Sequence, residues 1–563
     1  MISVYQGLIT TPRQQNGRVS LIMKAPYSSA ALLLVWTGVA ISTASGQVTP
    51  GVSCDSLASM SLPNVKITSA GMIGPGGFQQ PGGGRQNVPP IHPRGPLTLG
   101  SAGFGLGYNG GRPNAHYEEL AAFCRVTATL TPTPKSDIRS EVWLPLQMWN
   151  GKFVGTSPNG MGGNIPYGSM ANALREGFAV VGEDTGHRGS EMSWMDDQER
   201  RVDFGHRAIH EATVLGKALT QRFYSQQPRF SYMRECGGGS TAALAAVQSY
   251  PDDYNGVVVG GFAADWTHQT FGQMWPWYAT HKSEASYVPP AKYPAIHRAV
   301  LQACDARDGA RDGVLEDPTR CNWQPREILC KGADGPDCLT QPQVEAVEKV
   351  YQGAVNPRTH ERIHSPLFHG GELEWQILLG PEPLGGVGPM LPFFRSFVFK
   401  DPKWDFKARP LDYDQDVARA NTPDITVINA TKPDISKYVA RGGRLILANG
   451  WSNAIVPPGE TVDYYKSVRK AIGAKAADAG VRLYMVPDMS ECNGGAGTDT
   501  FDMFAAMENW VEHGKPPASV PASRVEDDGH VSRTRPLCPY PQVAVYKGSG
   551  STDDAANFSC KAR

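Results

Sequence analysis

Tyr232-Met233-Arg234-Glu235-Cys236-Gly237-Gly238-Gly239-Ser240 decides the fold. An apolar lead-in meets three glycines, and an Ala-rich stretch, 240–249, follows at once. The segment predicts a strand, a sharp glycine turn and a helix. Downstream, Val257-Val258-Val259 reads as the next buried strand; upstream, Phe153-Val154 and Ala179-Val180-Val181 read the same way, with an amphipathic helix over 205–224. Strands alternating with helices predict an α/β fold, a parallel sheet covered by helices on both faces. Near 265 the rhythm breaks into a Trp-, Pro- and Cys-rich stretch lasting to about 435, then resumes at Arg444-Leu445-Ile446-Leu447-Ala448 and Val481-Arg482-Leu483-Tyr484-Met485-Val486. One domain inserted into another is the simplest organisation, with a core over 47–264 and 436–563 and an insertion over 265–435. Residues 75–113, rich in Gly and Pro, are expected to form irregular surface loops.

Length agrees with more than one cored unit, since 563 residues exceed the roughly 250–300 at which single cores stop growing. A net charge of −1 gives no electrostatic reason to expect nucleic acid or an anionic membrane as a partner. Residues 1–46 read as processing sequence. Met23-Lys24, the apolar Ala30-Ala31-Leu32-Leu33-Leu34-Val35-Trp36 and the small residues Ala44-Ser45-Gly46 form a signal-peptide pattern, with 1–22 an upstream extension. An N-terminal anchor is the competing reading. No later segment is apolar enough to cross a bilayer. A secreted or periplasmic protein is therefore expected, with no membrane partner once the signal is removed; nothing sets an oligomeric state. Ten cysteines in an exported chain favour disulfides, and no CxxC or paired-His spacing points to a metal. Short spacings pair Cys304 with Cys321, Cys330 with Cys338 and Cys538 with Cys560; spacing leaves the other four open.

Several stretches resemble signatures of the tannase/feruloyl esterase family: Asp184-Thr185-Gly186-His187, Asp203-Phe204-Gly205-His206-Arg207-Ala208-Ile209-His210-Glu211, Tyr250-Pro251-Asp252-Asp253-Tyr254-Asn255-Gly256, Gly442-Gly443-Arg444-Leu445, Val456-Pro457-Pro458-Gly459 and Asn493-Gly494-Gly495-Ala496-Gly497. The resemblance implies an α/β-hydrolase core, a doubly wound and mostly parallel sheet, with a large lid inserted after the strand at 257–261. It also implies the pairings Cys54–Cys124 and Cys236–Cys492.

The positions that carry chemistry depart from that family. Where it has Gly-Cys-Ser-x-Gly-Gly this chain has Glu235-Cys236-Gly237-Gly238-Gly239-Ser240, which puts Gly237 at the nucleophile position. The Gly-Trp-x-Asp segment reads Gly450-Trp451-Ser452-Asn453, an amide at the acid position, and the His-Cys pair reads Glu491-Cys492. Acyl transfer through serine needs a hydroxyl, a base and an orienting carboxylate. Glycine offers no attacking atom, and Asn453 has no imidazolium to stabilise. A conventional serine esterase mechanism is not expected.

Ser240 is the candidate rescue nucleophile, since Gly238-Gly239-Ser240-Thr241-Ala242 imitates the GxSxG pattern; the plainer reading is a helix residue bonded to the backbone. Glu491, carried by the implied bridge to the place of the imidazole, is the candidate general acid or base. Glu235 is a possible second carboxyl whose proximity would push the two titrations apart; the alternative is a cap or a pair with Arg234 or Arg188. By family position, the amide of Gly238 and the loop Asn159-Gly160-Met161-Gly162-Gly163, with Gly160 and Met161 foremost, form an oxyanion or polar-binding site.

The run from Cys304 to Val314 holds three carboxylates and two glycines, suited to Ca²⁺ though not in EF-hand spacing. The resemblance implies a structural calcium ligated through Asp305, Asp308, Ala310, Asp312 and Val314, and no organic cofactor. Phe393, Phe394, Arg395 and Phe397 resemble the lid segment that holds a phenolic ligand; packing of the lid's own core is the competing reading. Two functions follow. One is an enzyme with non-serine chemistry, such as elimination, hydration, isomerisation or ester cleavage assisted by Glu491, on a small aromatic or phenolic molecule. The other is a binding pseudoenzyme.

Overall fold

The computed structural model describes residues 50–81, 117–158, 160–189, 192–383, 390–526 and 528–562. The expected leader, Asn159 and most of the 75–113 loops lie outside the described residues. Nine strands form one sheet: β1 (Val65–Ile73), β2 (Phe123–Leu130), β3 (Ile138–Pro145), β4 (Lys152–Thr156), β5 (Ala179–Glu183), β6 (Phe230–Cys236), β7 (Gly256–Gly260), β8 (Arg444–Gly450) and β9 (Val481–Val486). Their order is β1-β2-β3-β5-β4-β6-β7-β8-β9. From β5 to β9 every pairing is parallel, while β1 to β3 add an antiparallel edge. This is the expected α/β-hydrolase type of sheet.

Successive side chains of a strand point to opposite faces, and the central strands show it. Val257 and Val259 join one buried cluster with Met233, Leu445 and Leu447, beneath α2 (Ala208–Tyr224) and α3 (Ser240–Ser249). Val258 joins a second cluster with Tyr232, Ile446 and Tyr484, on the side of α1 (Tyr167–Arg175) and the later Met503–His513 helix. With both faces covered, the strands read as continuous apolar runs rather than alternating ones.

The insertion leaves the sheet after β7 and begins with α4 (Trp266–Thr280). Its apolar cluster, including Phe271, Trp277, Trp375, Phe393, Phe394 and Trp404, runs on into the core segment through Met161, Trp194 and Phe204. Its two ends are tied together: the Ala430 N–H donates to the Ala264 carbonyl at 2.7 Å, and the Asn429 amide donates to Asp265 at 2.9 Å. Five disulfides form, Cys54–Cys124, Cys236–Cys492, Cys304–Cys321, Cys330–Cys338 and Cys538–Cys560, which are the expected pairs. Among the described residues no helix is long and apolar enough to cross a membrane.

Candidate active site

At the C-terminal end of β6 the chain turns sharply through Gly237, whose φ is +72°, and enters α3 at Ser240. A strand, a left-handed residue and a helix make up the turn on which a hydrolase exposes its nucleophile. Here that residue has only hydrogen. The turn is also tight against its neighbour. A Cβ on Gly239 would meet the Ser157 and Pro158 carbonyls at 3.0 Å, so only glycine lets the loop after β4 lie this close.

Ser240 does not replace the missing hydroxyl. It is fully buried, and its Oγ donates to the Gly237 carbonyl, the local backbone bond that competes with any other use of a helix N-terminal serine. The rescue role is corrected accordingly. Among the described residues no histidine bonds to it.

The Cys236–Cys492 bridge, with Cα atoms 6.0 Å apart, fastens the end of β6 to the loop after β9 and carries Glu491 to the turn. Glu491 packs on Gly261, just past β7, where an added Cβ would stand 2.9 Å from its Cγ. The residue is half-buried, yet its carboxyl lies deep enough for desolvation to push its pKa up to about 7. Among the described residues the carboxylate has no hydrogen-bond or ion-pair partner. It sits beyond the carboxyl ends of parallel strands, where ligands of open α/β sheets bind.

Asn453 is buried and spent on structure. Its Nδ2 donates to Asn449 Oδ1 at 2.9 Å, and its Oδ1 accepts the Val456 N–H at 2.9 Å. Glu235 differs from both sequence expectations. Arg234 pairs with Glu176 at 2.8 Å and Arg188 with Asp137 at 2.7 Å, so neither is bonded to Glu235, although the Arg234 charge opposes the rise of its pKa. Nor does it share a titration with Glu491. Neighbouring residues of a strand face opposite ways, and Cys236 takes the Glu491 side. Glu235 instead accepts the Ser157 N–H at 2.9 Å, while Ser157 Oγ donates to Glu183 at 2.6 Å. Burial pushes Glu235 well up, and Glu183 up to about 7. The second carboxyl of this pair is Glu183, at the end of β5, and a charged residue closing an apolar strand was the signal for it.

The expected oxyanion loop is held from behind. Gly163 and Gly189 exchange backbone hydrogen bonds at 2.8 and 2.9 Å, and His187 Nε2 lies 3.0 Å from the Met161 carbonyl. His187 is buried with its ring stacked on Trp194 at 5.2 Å. The sequence marked His187 only as part of a signature. Gly160 takes a left-handed φ of +65° and Met161 is buried.

In the lid, Phe393 and Phe394 are fully buried, and Phe397 lies edge-on to Phe393 at 5.3 Å and to Trp194 at 6.1 Å. Arg395 Nε donates to the Trp404 carbonyl at 3.0 Å. Phe393 and Phe394 thus pack inside the lid, whereas Phe397 reaches the core segment at Trp194, whose ring stacks on His187.

The acidic loop folds on itself. Asp305 accepts the Gly313 N–H at 3.1 Å, Asp308 accepts that of Ala310 at 2.9 Å, and Asp312 accepts that of Val314 at 3.3 Å. Arg535 reaches in from a C-terminal strand, Val531–Leu537, to Asp312 at 2.6 Å and Glu316 at 2.9 Å. Burial first, then repulsion from Asp312 and Asp305, pushes Asp308 up to about 6. Both carboxylate oxygens of Asp305, Asp308 and Asp312 are engaged in this way, by backbone N–H groups or by Arg535. The compact group Cys330, Asp334 and Cys338 offers no thiolate, because the cysteines are bonded to each other.

Residues 124–561 match the profile of the family described as tannase and feruloyl esterase. The chain belongs to this family. It is 34% identical to an uncharacterised esterase of Xanthomonas campestris pv. campestris, over 93% of each chain. Feruloyl esterase B of Aspergillus niger is 28% identical, with 78% of this chain and 86% of that one covered. The crystal structure of feruloyl esterase B from Aspergillus oryzae superposes with a TM-score of 0.77 at 28% identity, covering 90% of this chain and 99% of that one.

Proposed function

We propose that this tannase-family protein is an exported enzyme that works without a serine nucleophile, using Glu491 as general acid or base on a small aromatic or phenolic molecule. One observation carries the reading. At the turn where a hydroxyl would attack stands Gly237, and a disulfide brings beside it a carboxyl with no partner among the described residues and a pKa of about 7. A group that titrates near neutrality is suited to move a proton in both directions. Glu491 would take a proton from carbon activated by a carbonyl, and the charge would pass to the carbonyl oxygen. The Gly238 N–H and the loop at Gly160 and Met161 would hold that oxygen. Return of the proton elsewhere gives isomerisation, loss of a β-leaving group gives elimination, and the reverse gives hydration. Five disulfides support export to an oxidising compartment.

The calcium reading is kept as a proposal beside it. The ion would sit among Asp305, Asp308, Asp312 and the carbonyls of Ala310 and Val314 and would brace the loop stapled by Cys304–Cys321. It takes no part in the proton transfer.

Incubation with phenolic esters and hydroxylated aromatics, comparing wild type with Glu491→Gln, tests the assignment. Products formed by wild type and lost in the variant support it. Turnover abolished only by Ser240→Ala refutes it, and binding without turnover moves the protein to the pseudoenzyme class.

A further inference from the structure

An aromatic groove of the lid lies away from the site just described. A groove of about 740 Å³ is lined by Trp275, Trp277, Tyr278, His281, Phe406 and Tyr413, with Lys282, Lys349 and Lys407 around them. It opens at the far end of α4. That helix starts next to Asp265, a few residues past the carboxyl end of β7, and at 1.5 Å per residue its Tyr278 end is about 20 Å away.

The polar atoms of the rings are already used inside the lid. Trp275 Nε1 donates to the Lys349 carbonyl at 2.8 Å, Trp277 Nε1 to that of Gly380 at 3.1 Å, Tyr278 Oη to that of Phe406 at 3.0 Å, and Tyr413 Oη to that of Phe271 at 3.1 Å. What the rings offer the groove is apolar surface. His281 stacks flat on Trp277 at 4.4 Å and extends that wall. Burial holds its pKa below the ordinary value, so it is a neutral ring at pH 7.

The charge in the groove has one sign. Among the described residues no acidic side chain lines it. Lys407 pairs with Glu382 at 2.6 Å outside the lining, and Lys349 reaches the neutral Gln352 at 2.8 Å. Among the described residues Lys282 has no ion-pair partner. A sugar would need planar polar side chains to read its hydroxyls, and neither carboxylate nor carboxamide side chains line the walls. A flat apolar body with one negative end meets both features, and the volume is that of an ordinary small-molecule cavity.

We propose that this groove is a second binding site, separate from the Glu491 site, for an aromatic carboxylate whose ring lies against Trp275 and Tyr413 and whose carboxylate pairs with Lys282 and Lys349. The inference does not depend on the chemistry assigned to Glu491.

The test uses the full chain and 2-naphthoate, with neutral 2-naphthamide as its isostere, in equilibrium dialysis. Lys282→Glu/Lys349→Glu is compared with Lys475→Glu/Lys515→Glu, a reversal of the same charge at exposed lysines elsewhere. The expected result is saturable naphthoate binding that the first pair weakens at least tenfold. Lys475→Glu/Lys515→Glu and Glu491→Gln should leave it within twofold, and the amide should bind at least tenfold more weakly. Equal weakening by both lysine pairs would reduce the effect to net charge and overturn the site. So would unchanged binding in the first pair, an amide that binds as well as the acid, or no saturation by naphthoate.

Discussion

Cys236 and Cys492 are 256 residues apart in sequence and 6.0 Å apart at their Cα atoms. Their bond sets Gly237 and Glu491, the next residue and the previous one, on the two sides of one bridge. A mechanism built on this pair has a carboxyl and a left-handed glycine to work with, and no hydroxyl.

Placing the hydroxyl back is expected to be insufficient. Gly237→Ser forces a side chain into φ +72°, at a cost of about 1–2 kcal/mol, and brings neither an imidazole nor a carboxylate to orient one. Phenolic-ester hydrolysis should stay at background in the single variant, and a fluorophosphonate should leave the wild-type mass unchanged. Only Gly237→Ser combined with Glu491→His and Asn453→Asp should gain esterase turnover. Ester hydrolysis by the single variant, or a wild-type adduct at Ser240, would contradict the site as described.

Glu491 should also be visible in stability. Its pKa of about 7 is above the ordinary 4.5, so the folded state binds the proton more tightly than the unfolded one. Stability then falls as pH rises from about 4.5 to about 7, by a few kcal/mol at most. Glu491→Gln should flatten that slope and raise Tm at pH 8 relative to pH 5. Parallel Tm profiles for the two proteins would show a carboxyl with an ordinary pKa.

The lid's attachment carries a second titrating pair. Asp265 and His268 are 2.9 Å apart, and the same carboxylate receives the Asn429 amide from the other end of the insertion. Despite burial, the His268 bond and charge draw Asp265 down to about 2, and Asp265 draws His268 up. The Asp265 contribution is present above about 3.8 and fades as pH falls toward 2; that of His268 is full below about 6.5 and fades as pH rises through its raised value. Asp265→Asn should therefore cost most between about pH 4 and 6.5, on the order of 1–3 kcal/mol. Urea melts across pH would read it, and a pH-independent loss would sink the idea.

Chelation addresses the acidic loop. EDTA should lower Tm in wild type, added Ca²⁺ should restore it, and Asp308→Asn should remove the response. An EDTA-insensitive Tm would leave the loop as a self-bonded turn held by Arg535.

Much of this was legible from residue pattern. The turn at Gly237, the parallel strands around it and the insertion after β7 follow from apolar runs punctuated by glycine. The partners of buried charges were not. Glu235 was set among nearby arginines because chain neighbours are all a sequence offers, whereas Ser157 and Glu183 reach it through sheet order. Phe393 and Phe394 show the same gap, since aromatic residues at a lid read alike whether they line a pocket or fill a core.

The pH dependence of kcat/KM for any aromatic substrate turned over by wild type tests the central claim most directly. Wild type should show one controlling ionisation near pH 7, and Glu491→Gln should lose it together with at least a hundredfold in rate. An unchanged profile and rate in the variant would place the chemistry elsewhere.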